Sequence, residues 1–141
     1  MKFKKISNGY IIELKKGEEV IESLTAFCVD NNINSGAIAG VGGTDNVSIK
    51  YYDLETRTYI TKNFSGKNYE ILSLNGNVSL VDGKHFFHIH IVLGDSDFNA
   101  FGGHLGSCNI GIIAEITLTL TSDEIINRKF DDEFRANLLN I

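Results

Sequence analysis

Between Asp82 and Gly106 the chain reads DGKHFFHIHIVLGDSDFNAFGGHLG, and the alternation in its first half permits little besides a β-strand. From Phe87 the odd positions are Phe87, Ile89, Ile91 and Leu93, all apolar, which assigns that face to a core. His88 and His90 then share the opposite face. Two strand steps separate them by roughly 6.6 Å at the backbone. Imidazoles leaning together across that gap can grip one metal ion, with N–metal distances of about 2.0–2.1 Å for zinc. A His-x-His pair alone is weak evidence, because histidine also serves as a surface or hydrogen-bonded residue. His104 is the natural third ligand: it follows a short loop, and Gly102-Gly103 lets its backbone pass close to another segment. His85 falls on the other face beside a turn and reads as solvent-facing.

The 141 residues correspond to one domain, 1–141, with a core over about residues 10–120 and a tail over 121–141. Hydrophobic content of 43% and charged content of 22% suit a soluble globular protein. A net charge of −5 argues against broad electrostatic binding to DNA or to an anionic membrane. Lys2, Lys4, Lys5, Lys15 and Lys16 cluster near the N-terminus and read as a solvated strand edge, since edge lysines resist aggregation. Cys28 and Cys108 have no metal or redox spacing and read as core thiols in a reducing cytosol. No apolar run is long enough to cross a membrane, and KFKKISNGY lacks the apolar stretch of a signal peptide, so a cytoplasmic location is expected.

In chain order, Tyr10 to Leu14 reads as a strand. The clearest helix follows, with Val20, Ile21, Leu24, Phe27 and Cys28 on one apolar face and Glu18 and Glu19 in the first turn, where the helix dipole favours acids. Gly36 to Val41 is a small apolar strand. Gly40-Val41-Gly42-Gly43 is no phosphate loop, for it lacks Gly-Lys-Ser/Thr and no helical pattern follows; a tight turn or close approach of a backbone explains it better. Hairpins are expected at Val47–Asp53 with Thr58–Phe64, and at Tyr69–Leu74 with Val78–Val81 around an Asn75-Gly76-Asn77 turn. Asp82-Gly83 turns into the histidine strand. Asn109 to Leu120 is the last long strand, its apolar face carrying Ile110, Ile112, Ala114, Ile116, Leu118 and Leu120. The tail from Ser122 onward has no assignable structure, although Phe130, Phe134, Leu138 and Leu139 offer it ways to dock. One helix and about seven to eight strands joined by hairpin turns make an α+β chain with a mostly antiparallel sheet.

Two carboxylates sit in apolar strands. Glu70, in YEILSL, reads as partly buried and is the candidate catalytic residue: near a metal it could orient a histidine, complete the ligand set or serve as general base. Glu115 is placed similarly, but a salt bridge at a subunit contact, to Arg57 or Arg128, explains it better. Asp95 and Asp97 resemble half a calcium loop, yet the closing bidentate glutamate is missing, and they read as turn formers.

The segments YEILSLNGNVSL, FFHIHIVLGD, FGGHLGS and AEITLTL, with GEEVIESLTAFCVDNNINSGAIAGVGG before them, resemble the PPC (plants and prokaryotes conserved) domain in the right order from about Tyr10 to Leu120. For a prokaryotic stand-alone member the resemblance implies a homotrimer whose residues matching His88, His90 and His104 bind a metal, with zinc expected. It also carries the family's description as predicted DNA-binding. Plant members place a basic minor-groove motif ahead of the domain, and no such motif stands here. The expected function is therefore a small trimeric metal-binding domain of unnamed small-molecule ligand, with a DNA-binding or regulatory module as the alternative.

Overall fold

The structure, a computed structural model, describes residues 1–121 and 124–141, so Ser122 and Asp123 at the head of the expected tail lie outside it. The chain runs β1 (Lys2–Ile6), β2 (Gly9–Lys15), α1 (Val20–Asp30), β3 (Gly36–Asp53), β4 (Thr58–Val81), β5 (Lys84–Gly94), β6 (Ala100–Leu120), β7 (Arg128–Asp131) and β8 (Ala136–Leu139). Every pairing between these strands is antiparallel. The large sheet has the order β1-β2-β6-β3-β4-β5, and a further β5–β6 pairing closes β3, β4, β5 and β6 into a ring. The lysine-bearing β1 is an edge strand, as its composition suggests.

The α+β reading holds, and the apolar face of α1 goes where its pattern sends it. Val20, Leu24, Phe27 and Cys28 are buried, and the Phe27 ring meets Tyr10 edge-on with centroids 5.0 Å apart. Glu18 and Glu19 precede the helix rather than occupying its first turn. Glu19 is the N-cap, one carboxylate oxygen accepting from the Glu22 amide at 2.7 Å while the other accepts from the Cys108 amide. That second bond ties the helix start to β6. Cys28 and Cys108 are both buried and unpaired, and burial pushes their thiols up to about 12 and about 11, which leaves them inert.

Two turn assignments change. Asn75-Gly76-Asn77 makes no turn; it lies inside β4, which runs unbroken from Thr58 to Val81. Gly76 is there for approach: a Cβ built on it would lie 2.0 Å from the His88 carbonyl oxygen. Gly40 to Gly43 likewise lie within β3, and a Cβ on Gly42 would sit 2.4 Å from the Ile113 carbonyl oxygen. Close approach thus wins over turn formation at both places. Of the expected hairpin turns, those that form lie at Asp53–Thr58, where the Asp53 carboxylate accepts from the Glu55 and Thr56 amides, and at Asp82-Gly83. Positive φ at both Asp82 and Gly83 is the pattern of a two-residue hairpin turn matched to strand twist.

The last strand begins earlier than its alternation suggests, at Ala100, so His104 belongs to a strand and not to a loop. Its expected core position Ile112 is 62% exposed. A register shift between Gly42 and Thr44, opposite Ala114 and Ile110, breaks the alternation there and turns Ile112 and Ile113 outward. The tail folds as the β7–β8 hairpin, docked by the buried Arg128 and by backbone bonds from Leu80 to the Ile126 carbonyl and from Ile126 to the Ser35 hydroxyl. Gly76→Ala is expected to destabilise the chain by about 1–3 kcal/mol, the usual cost of overpacking. Gly43→Ala, whose added methyl would find its nearest neighbour at 3.5 Å, should change stability by less than about 1 kcal/mol. Urea midpoints measure both, and equal midpoints for the two variants would contradict the close-approach account.

Candidate metal centre

The site is a consequence of register. His90 lies directly opposite His104 in the β5–β6 pairing, and His88 is two residues back on the same face of β5. The opposite face of β5 is anchored by Ile89, Ile91 and Leu93, all buried, so a one-residue slip would bury the histidines and expose the core. Glycines let β6 come in from both sides: a Cβ on Gly102 would stand 2.1 Å from the Ile91 carbonyl oxygen, and one on Gly103 would stand 2.8 Å from that of Lys50.

The three rings form a near-equilateral triangle, with centroids 5.3 Å apart for His88–His90, 5.2 Å for His88–His104 and 5.4 Å for His90–His104. One ring nitrogen from each lies within 4.8 Å of the others, close enough for the three to converge on a single ion. His88 and His104 are half-buried and His90 is exposed. Burial holds the His104 imidazole down at about 4, helped by His88 and His90 and by the cations of Lys50 and Arg128. Burial, then Arg128 and His90, also holds His88 below the usual histidine range. Both rings are therefore neutral at pH 7, the form in which histidine ligates a metal. Neutral imidazoles without a thiolate fit zinc, copper, iron or nickel.

Surrounding residues complete a cleft of about 420 Å³ over the rings, walled by Tyr52, Leu54 and Tyr59 from the β3–β4 arm and by Phe134, Ala136 and Leu138 from the C-terminal hairpin. The Tyr59 ring packs on His104 with centroids 5.4 Å apart, and the Tyr52 hydroxyl donates to the Phe134 carbonyl. Lys50 pairs in register with His104 and also lines this cleft. Behind His88 lies Asn77, its partner across β4–β5, and the Asn77 side-chain oxygen accepts from Arg128 Nη2 at 2.8 Å. A larger cleft of about 910 Å³ lies beyond Lys50, around Phe64, Tyr69 and Phe101, but no histidine or cysteine lines it. The chemistry, not the volume, marks the smaller cleft.

Other sequence candidates fall elsewhere. His85 is not free in solvent, because its Nε2 lies 2.9 Å from the Ile33 carbonyl oxygen. Glu70 is exposed rather than partly buried, and it pairs with Gly94, four residues along β5 from His90. That places it about 13 Å along the strand from the cluster within the chain. Glu115 is also exposed, and Arg128 bonds to neutral groups instead of to it: Ser79 Oγ, the Asn137 carbonyl and Asn77 Oδ1. Asp95 caps its own loop, accepting from the Asp97 and Asn99 amides. Sequence reasoning passed over Lys50 and Tyr59, named Arg128 only as a salt-bridge partner, and gave the docking residues of the tail no place at the site. The alternation around Lys50 places it across a strand pair from the histidines, but only with the β3–β6 register in hand.

Comparison with known proteins agrees with this architecture. Residues 1–122 match the Plants and Prokaryotes Conserved (PCC) domain. Among solved structures, a predicted DNA-binding protein from Bacteroides thetaiotaomicron is 31% identical with a TM-score of 0.93, covering 99% of this chain and 96% of its own. A plant- and prokaryote-conserved protein from Pyrococcus horikoshii is 34% identical at a TM-score of 0.88, with coverage of 99% and 95%. A metal-containing protein from Archaeoglobus fulgidus is 33% identical at a TM-score of 0.87, covering all of both chains. No curated protein sequence matches the chain. With the matched domain spanning most of its length, and its ring of strands shared with these structures, the chain belongs to the Plants and Prokaryotes Conserved domain family.

Proposed function

We propose that this chain is a homotrimeric metal-binding protein in which His88, His90 and His104 hold one divalent ion, zinc before the alternatives, with a coordination position left open. The observation that carries this reading is the convergence of three ring nitrogens within 4.8 Å, two of them on rings kept neutral by burial. The metal-containing relative supports it. Structural zinc takes four protein ligands, whereas three leave room for water or a small molecule. A bound zinc ion supplies Lewis acidity at that open position. The surrounding residues exclude water on the tyrosine and leucine side and fix the rings through strand register. Protein purified without a histidine tag should carry about one metal ion per chain by elemental analysis, and the double variant His88→Ala, His90→Ala should carry almost none. Full metal retention by that variant contradicts the assignment.

The homotrimer reading rests on a face of the sheet that the chain leaves uncovered. Ile11, Val41 and Leu72 are each about half exposed and line one shallow cleft with Glu115 and Asn75. Asn75 is the cross-strand partner of His90, and Val92 continues the His88–His90 face. The apolar face therefore reaches the metal site, which supports subunit contacts beside it. Burying such a face is the usual route by which an exposed apolar patch is stabilised. Light scattering at micromolar concentration should return three times the chain mass; a monomer mass contradicts the proposal.

A second reading, DNA binding, is favoured by what two relatives are called. Charge weighs against it. Acidic residues outnumber basic ones by 18 to 13, and a trimer triples the net negative charge. Non-specific affinity comes from lysine and arginine releasing counterions from phosphates. Helix α1 carries Glu22 and Asp30 and no lysine or arginine. The β1 lysines are interleaved with Phe3 and Ile6 along an edge strand. Fluorescence anisotropy with mixed-sequence duplex across a salt series should show weak binding or none at physiological salt. Sub-micromolar binding with a steep salt slope would make the DNA reading the leading one. Among the described residues no helix is long and apolar enough to cross a membrane, and the two buried free thiols suit a reducing compartment.

A further inference from the structure

Charge around the three histidines is one-sided. Lys50 is half-buried, stands in register with His104 and makes no ion pair with any described residue; its ammonium lies 6.0 Å from the Tyr59 ring centroid. On the other flank, Arg128 is only 8% exposed and satisfied wholly by neutral acceptors, at 2.8 Å to Ser79 Oγ, 2.9 Å to the Asn137 carbonyl and 2.8 Å to Asn77 Oδ1, with its guanidinium 5.0 Å over the Phe86 ring. Among the described residues, no aspartate or glutamate lines the cleft. Lys50 in the cleft wall and Arg128 behind Asn77 thus flank the three imidazoles, and no acid among the described residues lines the cleft to balance them. Buried charge left uncompensated is costly. A divalent ion on three neutral ligands adds two further positive charges. The field in the cleft therefore favours an anion, at a range where charges in a protein surface cleft interact strongly.

The walls set the rest of the ligand. Leu54, Tyr59, Phe134 and Leu138 present apolar carbon to the cleft, and Lys50 is the only lysine, arginine or acid among the described residues that line it. Two of those walls come from the C-terminal hairpin, which lies beyond residues 1–122 where the family domain ends. We propose that the site takes a small organic carboxylate with an apolar or aromatic body, its carboxylate between the metal position and Lys50 and its body against Tyr59, Phe134 and Leu138. The binding step exchanges a water for a carboxylate oxygen and breaks no bond in the ligand. This rests on the metal reading above, and the two are separable by experiment.

The probe is phenylacetate, with its neutral counterpart phenylacetamide and the bodiless acetate as controls, titrated into protein loaded with cobalt(II), whose visible spectrum reports the ligand at the metal. Phenylacetate should perturb the cobalt bands saturably and bind at least about tenfold more tightly than phenylacetamide, as expected for a charge-assisted contact. It should also bind more tightly than acetate, and Leu138→Ala should narrow that difference. Lys50→Met should weaken phenylacetate about tenfold while cobalt stoichiometry stays at that of the parent. Full cobalt loading with no spectral response to phenylacetate, or with equal binding of the amide, overturns the carboxylate proposal and leaves the metal reading standing. Failure of the unmodified chain to take up cobalt or zinc overturns both. The comparison of acid with amide uses the unmodified protein, so it decides the matter even if the Lys50 variant does not fold.

Discussion

Strand β6 is the constraint on which the rest depends. It pairs with β2 along its second half, with β3 along most of its length and with β5 at its start, so three neighbours fix its position. Such crowding is possible only where the chain omits side chains. Gly102 and Gly103 admit β5 and β3 on either side, and Gly42 and Gly76 allow comparable approaches elsewhere in the ring. The same pairing that closes the ring sets His90 opposite His104 and Lys50 opposite His104 on the other side. The geometry of the histidine cluster is therefore a by-product of ring closure. The three histidines sit on strands held by cross-strand hydrogen bonds and not on a loop, which is the preorganisation a three-ligand site needs.

Burial does the complementary electrostatic work. Half-buried rings resist protonation, and His104 is held as low as about 4. The nearby cations of Lys50 and Arg128 act in the same direction, since each disfavours a second positive charge. An imidazole that stays neutral is a ligand that need not shed a proton before binding. Arg128 has a mechanical role as well. Through Asn77, Ser79 and the Asn137 carbonyl it joins the C-terminal hairpin to β4, and that hairpin forms one wall of the cleft. Removing the guanidinium would take a donor from the buried Ser79 hydroxyl and from two partly buried acceptors, and would loosen the wall together with the field.

The His88–His90 pair and the sheet were legible because both depend on period-two alternation, which the sequence displays openly from Phe87 to Leu93, whereas His104 was reached through Gly102-Gly103 and the family resemblance. The helix was legible for the corresponding reason. The misplaced turns trace to one cause: glycine is ambiguous between turn and close approach. Asn75-Gly76-Asn77 has the composition of a hairpin turn and lies in mid-strand, because the neighbouring strand's carbonyl occupies the space a side chain would need. Long strands that bend around a closed ring need such positions, and a local window cannot reveal the partner. Lys50 and Arg128 stayed hidden for a related reason, since their relation to the histidines is one of register between distant segments. The tail's role was invisible because Phe134 and Leu138 carry no periodic signal of their own.

The most direct test of the central claim is X-ray absorption at the metal edge on protein purified without a tag. The account predicts a first shell dominated by three nitrogen scatterers at about 2.0–2.1 Å for zinc, with the outer-shell pattern of imidazole and one further light atom. Loss of that pattern in His104→Ala would tie it to this cluster. A shell dominated by sulfur, or one unchanged by removing His104, would contradict the account.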